Sequence, residues 1–298
     1  MSLLVFLLTS LIGGIGSPLI KFTLDYFPTI TFVALRAILA ALLILPFVCK
    51  GLFRLKTKQI KYLFYANALF AGNWLFFAMG IQKTTIMMGQ IIYLPTALIV
   101  AIIAYIFLKE KLTKDQIFGL FITLLGFLML TYGSVVSQDV LSFGTLAGNL
   151  LVVAGLLAWS FYTVVSRKIS SIYDPQVITF FNFAVTALIA LILIPVDFRN
   201  GLPGLSELTT SAIFSLLSVV LFSSILFFFL YQWLIKHTSA FISSLVLYPV
   251  TIFASLAGII FFNETLTLNF IFGGLLVFAG VFIATSHQYI KTNFKHAD

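Results

Sequence analysis

Charged side chains are what this sequence has least of. Asp, Glu, Lys and Arg make up 9% of its 298 residues while 61% are apolar, giving a mean hydropathy of +1.14. A soluble globular domain carries about 25% charged and about 45–50% apolar residues, so this chain is not one. Cysteine is nearly absent too: Cys49 alone excludes an internal disulfide and a thiolate metal cluster, and it reads as a small apolar packing residue. The three histidines, His237, His287 and His296, fall in polar joints or the tail without metal-ligand spacing. No glycine-rich phosphate loop precedes a Lys-Ser/Thr pair, and no polar stretch is long enough for a nucleotide-binding domain. An enzyme needs a convergent acid, base, nucleophile or metal set, and none is visible, so neither catalysis nor a metal or other cofactor is expected. No Asp or Glu lies in the middle of an apolar run, so the carboxylate relay of a proton-driven carrier is not evident and coupling is left open.

What the chain does have is long apolar runs. Cutting it at its polar elbows leaves ten segments near the ~20 residues that a membrane helix needs. These fall at 3–24, 29–49, 61–80, 85–108, 115–132, 146–166, 175–195, 209–235, 239–262 and 267–287. The sequence predicts an all-α integral membrane protein with ten transmembrane helices. MSLLVFLLTSLIGGIG at the start has no basic residues before its apolar run and no small-residue cleavage site, so it reads as the first span. The net charge of +8 would suggest nucleic acid in a soluble chain, but here it sets topology, and no nucleic-acid partner is expected. With a cytoplasmic N-terminus, thirteen Lys and Arg residues face the inside and three, Lys21, Lys83 and Arg199, the outside, with Arg36 left within a span. Short basic loops stay cytoplasmic, so both termini are expected there.

Tyr93 to Leu130 is written twice. A shift of 154 residues lays Pro95 on Pro249, Glu110 on Glu264, Ile117-Phe118-Gly119 on Ile271-Phe272-Gly273, and Gly126 on Gly280. The expected organisation is a first five-span repeat at 1–132, an external linker at 133–145, a second five-span repeat at 146–287 and a cytoplasmic tail at 288–298. An odd number of spans per repeat makes the second copy enter from the opposite side, so the repeats are expected to be inverted. That is the plan of alternating-access carriers, in which two similar halves rock about a site between them.

The Gly-rich first span ending in Lys21, Arg36 in span two, Pro95 with FLKEKLT and Gly119/Gly126, then Pro249 with FFNETLT and Gly273/Gly280, resemble the EamA family of the drug/metabolite transporter superfamily. The resemblance covers nearly the whole chain in two copies. It implies a ten-helix carrier of the bacterial inner (cytoplasmic) membrane, with a central cavity built from both halves, moving amino acids, other small metabolites or drugs. The second copy departs from the pattern where Phe183 stands roughly at the place of Arg36.

Arg36 is the one ionisable residue clearly within a span. A guanidinium in lipid is costly unless it is paired, so it should face protein or a watery cavity. It is either an anchor for a substrate carboxylate or phosphate, or a tether to Asp25, a helix end or carbonyls. Lys21 is close enough to a span end to snorkel. Pro95 and Pro249 each remove a helical N–H about halfway across and free polar backbone at membrane depth, which points either to a binding and gating site or to a packing kink. Aromatic and amide side chains are the candidate cavity lining: Asn73, Trp74, Gln90, Tyr93, Trp159, Tyr162, Asn182, Tyr231, Gln232 and Tyr248. Gly119, Gly126, Gly273 and Gly280 are expected to let backbones approach closely. Glu110 and Glu264 are expected to cap or tie the mirror-related elbows.

The expected function is export or exchange of a small polar metabolite such as an amino acid, by alternating access. Runners-up are an uptake carrier for a nucleoside-like metabolite such as S-adenosylmethionine, and multidrug efflux, for which a lone buried Arg is awkward. The alternative outside transport is a structural membrane protein. The lipid bilayer and a small-molecule substrate are the expected partners, and a homodimer is left open.

Overall fold

The computed structural model of the protein describes residues 2–53, 55–109, 113–136, 145–198, 209–262, 268, 271–276, 278–280 and 282–283. All regular structure among them is helical. In chain order, α1 spans Ser2–Thr23, α2 Thr29–Leu52, α3 Thr57–Ile81, α4 Ile86–Tyr93, α5 Thr96–Leu108 and α6 Lys114–Val136. There follow α7 at Leu146–Ser170, α8 at Pro175–Leu193, the single turn α9 at Pro195–Phe198 and α10 at Thr210–Ser218. A π-helical segment, Val219–Leu226, leads into α11 at Phe227–His237, and α12 at Ala240–Ser244 precedes α13 at Leu247–Phe262.

Among the described residues, eight helices are long and apolar enough to cross a membrane, counting α4 with α5, α8 with α9, α10 with the π-helical segment and α11, and α12 with α13 as one span each. Two shorter apolar stretches, Ile117–Gly126 within α6 and Ile271–Gly280, occupy the places where spans five and ten are expected. The outer surface is aromatic and aliphatic: Phe47 is 77% exposed, Phe214 74% and Phe261 73%. Apolar exposure on this scale is tolerable only in an apolar medium.

Helix starts follow local chemistry. Thr85, Thr145, Thr209 and Ser239 each accept, on the side-chain oxygen, the backbone N–H three residues on, which satisfies a donor that the helix leaves free. The N-cap of α2 is Pro28, whose side chain cannot accept a hydrogen bond. Asp197 supplies the cap from α9: its Oδ2 accepts Thr31 N at 2.7 Å and Thr31 Oγ1 at 2.9 Å, placing a carboxylate at the positive end of the α2 dipole. Asp197→Ala is expected to cost about 1–2 kcal/mol, read as a lower thermal midpoint in detergent, with Asp197→Asn recovering part of the loss.

The main packing runs between the halves of the chain. α3 lies along α7, α2 along α8, and α1 along α13, each pair joining a helix before the 137–144 segment to one after it. At the centre the rings of Phe70, Trp74, Trp159, Tyr162, Phe183 and Phe228 meet in tilted and edge-to-face contacts, with centroids 4.7–6.4 Å apart. The repeat glycines mark another close approach. A Cβ added to Gly280 would sit 2.5 Å from the Gly119 carbonyl oxygen and 2.6 Å from Thr123 N. Gly126 and Gly273 are buried as well. Glu110 and Glu264 lie outside the described residues.

Candidate functional site

Two of the expected spans are interrupted, and each proline frees a carbonyl four residues back. Pro95 has no N–H for the carbonyl of Ile91, which instead accepts Leu94 N at 3.0 Å; Pro249 leaves the carbonyl of Leu245, which accepts Tyr248 N at 3.2 Å. These pairs are again 154 residues apart. The helix stops at Leu94-Pro95 in one case and at Leu245-Val246 in the other, four residues before Pro249 takes its place within α13. Both breaks flank one cavity: Gln90 and Tyr93 line it from just before the first, Leu247 and Val250 from just after the second.

The cavity has a volume of about 100 Å³. Its polar lining is Ser17, Arg36, Asn73, Gln90, Tyr93 and Ser223, and its aromatic walls are Trp74, Phe77, Trp159, Phe227 and Phe228. Arg36, 4% exposed, is held on three sides. Its Nε donates to Ser224 Oγ at 2.7 Å, and Nη2 donates to the Ser223 carbonyl at 2.9 Å and to Ser223 Oγ at 3.3 Å. The guanidinium carbon lies 3.7 Å from the centroid of the Trp74 ring, a cation–π contact in a water-poor setting. Among the described residues, no carboxylate pairs with Arg36, and Nη1 makes no hydrogen bond.

The acceptors for Arg36 come from the π-helical turn. Wider winding there lets Ser224 Oγ donate to the Val219 carbonyl, five residues back, at 3.0 Å while accepting from Arg36. Such segments recur at functional sites. Sequence reasoning treated 209–235 as one plain span and missed Ser223, Ser224, Phe227 and Phe228. The adjacent serines at mid-span were the available signal, since hydroxyls there need a reason. Ser17, likewise missed, accepts Gln90 Nε2 at 2.7 Å, and Asn73 Nδ2 donates to the Tyr93 hydroxyl and, at 3.0 Å, to the Gly155 carbonyl.

Of the eight expected binding residues, Arg36, Trp74, Gln90, Tyr93 and Trp159 come together at the cavity, and Tyr162, Tyr231 and Tyr248 do not. Tyr162 stands behind the aromatic wall, where its hydroxyl accepts from Asn182 Nδ2 at 2.6 Å and from Gln232 Nε2, while Ser166 Oγ donates to Gln232 Oε1 at 2.9 Å. Tyr231 packs on Trp159 with centroids 4.9 Å apart and lies 3.3 Å from Thr163 Oγ1 through its hydroxyl. Tyr248 belongs to a separate buried cluster with Leu94, Ala97 and Leu120. Phe183, the counterpart of Arg36, packs on Trp74 at 5.6 Å, so among the described residues the cavity's charge comes from one half of the chain. Lys21 donates to the Thr84 carbonyl at 3.1 Å.

Several known proteins are similar to this chain over most of its length. An uncharacterized transporter of Bacillus subtilis, YyaM, is 28% identical over 285 residues, covering 93% of this chain and 90% of its own. An uncharacterized transporter of Archaeoglobus fulgidus is 26% identical over 282 residues, covering 94% and 97%. A crystal structure 18% identical in sequence superposes with a TM-score of 0.71 over 95% of this chain and 96% of its own, which speaks for the fold alone. The model of the EamA-like transporter family matches residues 1–132 and 146–286. A multi-pass membrane protein matched in this way over nearly its whole length belongs to the EamA-like transporter family.

Proposed function

We propose that the protein is a secondary carrier that moves a small metabolite bearing a carboxylate or phosphate by alternating access, in export or exchange, through the cavity beside Arg36. The observation that carries this reading is Arg36 itself: a cavity-lining residue whose guanidinium is anchored on Nε and Nη2 and stacked on Trp74, with no hydrogen bond to Nη1 among the described residues. A buried cation without a counterion is costly, and an anionic substrate supplies the counterion.

In this reading ten helices form two inverted five-span repeats, with both termini in the cytoplasm of a bacterial cell. The thirteen-to-three excess of basic residues supports that orientation, and the paired helix breaks at Leu94-Pro95 and Leu245-Val246 support a site between the repeats. A cavity of about 100 Å³ is smaller than the ~150 Å³ that accommodates benzene in an engineered core, so the conformer is a contracted one and the walls must part for most metabolites. The helix breaks provide the places for that movement.

The test is counterflow in proteoliposomes with a panel of amino acids, organic anions, nucleoside derivatives and lipophilic cations. Exchange of carboxylate- or phosphate-bearing compounds is expected. Flux of lipophilic cations alone would overturn the anchor role of Arg36, and silence across the panel would favour a structural membrane protein.

A further inference from the structure

We infer that the cavity selects a net monoanion, an organic acid without an ammonium group, over the zwitterionic amino acid of the same carbon skeleton. This rests on the transport reading above and narrows its substrate class. Three observations carry it.

The first is charge balance. The cavity lining contains one cation, Arg36, and no acid. The nine carboxylates of the chain, Asp25, Glu110, Asp115, Asp139, Asp174, Asp197, Glu207, Glu264 and Asp298, all stand at or beyond the ends of the apolar runs, so none lies at mid-span to receive an ammonium. A bound monoanion brings the occupied site to zero charge. A zwitterion leaves it at one positive charge, with the new ammonium close to the guanidinium, and a cation raises it to two. In a water-poor interior the neutral combination avoids the desolvation cost that the others retain. Gln90 and Asn73 offer an ammonium only amide dipoles, and their NH₂ groups are already donating to Ser17, Tyr93 and the Gly155 carbonyl.

The second observation is a surplus of donors. Trp159 lines the cavity at 3% exposure, and its indole Nε1 is buried with no hydrogen-bond partner. Native interiors leave few such groups unpaired, and the indole N–H can donate but not accept. Together with Nη1 of Arg36, which makes no hydrogen bond among the described residues, two residues of the lining hold N–H donors that lack acceptors, and a carboxylate has acceptor oxygens in excess.

The third is the remaining wall. Phe77, Phe227, Phe228, Leu247 and Val250 enclose the space around these donors, which suits an apolar body behind the carboxylate.

The experiment uses the full chain with matched pairs differing only in the amino group: isocaproate against leucine, and hydrocinnamate against phenylalanine, with isocaproamide as the uncharged control. Counterflow in liposomes and thermal stabilisation in detergent are both read. Each acid is expected to bind and exchange about tenfold or more better than its amino acid, and the amide to be inert. Trp159→Phe removes the N–H together with the five-membered ring of the indole. It should weaken the acids about tenfold, while the smaller ring leaves a gap that lowers the unfolding midpoint by a few degrees. Amino acids that match or exceed their acids would overturn this inference and leave the transport reading standing. No flux and no stabilisation by any compound would overturn both. Undiminished acid binding in a folded Trp159→Phe would remove the indole from the site and overturn the donor assignment.

Discussion

Gly80→Val is expected to destabilise the protein by about 3 kcal/mol or more, read as a fall of at least about 6 °C in the thermal midpoint in detergent. Gly80 lies near the end of α3, where α3 meets α7. A Cβ there would sit 2.6 Å from Val152 Cγ2 and 2.9 Å from both the Gly148 carbonyl oxygen and Val152 N. Two of those three atoms are backbone, so no rotamer change makes room. The helices cannot simply part, because the same pair carries Phe70, Trp74, Trp159 and Tyr162 into the central cluster. Gly148 is itself tight, with a Cβ position 3.0 Å from Lys83 backbone atoms. Gly72, on the same helix, is the control: its Cβ position has 3.7 Å to Ala158 Cβ and 3.9 Å to the Phe76 ring, so Gly72→Ala should be neutral or slightly stabilising. Equal midpoints for Gly80→Val and the unaltered protein would show that α3 and α7 are not this close.

Arg36→Met should lower counterflow of the anionic substrate by about a hundredfold or more while the protein stays folded. Methionine fills much of the space left by the arginine stem and adapts to irregular gaps. What it removes is the charge at the cavity, and with it charge-assisted hydrogen bonds worth about 1.5–3 kcal/mol each; roughly 2.8 kcal/mol is a factor of a hundred. Stability behaves differently. The variant loses the bonds to Ser223 and Ser224 and the stacking on Trp74, but it also relieves the chain of a buried cation with no acid beside it among the described residues. These terms oppose each other, so the thermal midpoint should move by only a few degrees. Transport within threefold of the unaltered protein would show that the guanidinium is a tether for the π-helical turn and nothing more.

Arg36 illustrates how far the chain could be understood before its shape was known. A lone arginine in an apolar run demanded either protein partners or a cavity, and those were the alternatives stated from the sequence. The structure shows both at once, because the guanidinium has enough donors to be tied on Nε and Nη2 while Nη1 makes no hydrogen bond among the described residues. The tether came from Ser223 and Ser224, 187 and 188 residues away, rather than from Asp25. The tyrosines show the opposite case. Tyr93, Tyr162, Tyr231 and Tyr248 are alike in the sequence, all aromatic with a hydroxyl and all at membrane depth, yet only Tyr93 reaches the cavity. Whether a helical face meets a cavity or a neighbouring helix depends on rotation and partner, and periodicity along one strand of sequence does not contain either.

Composition and order along the chain already gave a helical membrane protein, a stretch around 93–130 written twice, and two prolines that disturb their helices, although the second break falls at Leu245-Val246 rather than at Pro249. Each of these is local or one-dimensional: apolar runs are counted along the chain, and a proline lacks its N–H wherever it stands. It took the packed structure to show which faces enclose the cavity, that Asp197 caps α2, that the π-helical turn receives Arg36, and that the Trp159 N–H has no partner among the described residues. Those depend on which of many equally apolar surfaces pack together. In a chain that is apolar nearly all round, hydrophobicity does not distinguish one surface from another; close packing and the few hydrogen bonds do.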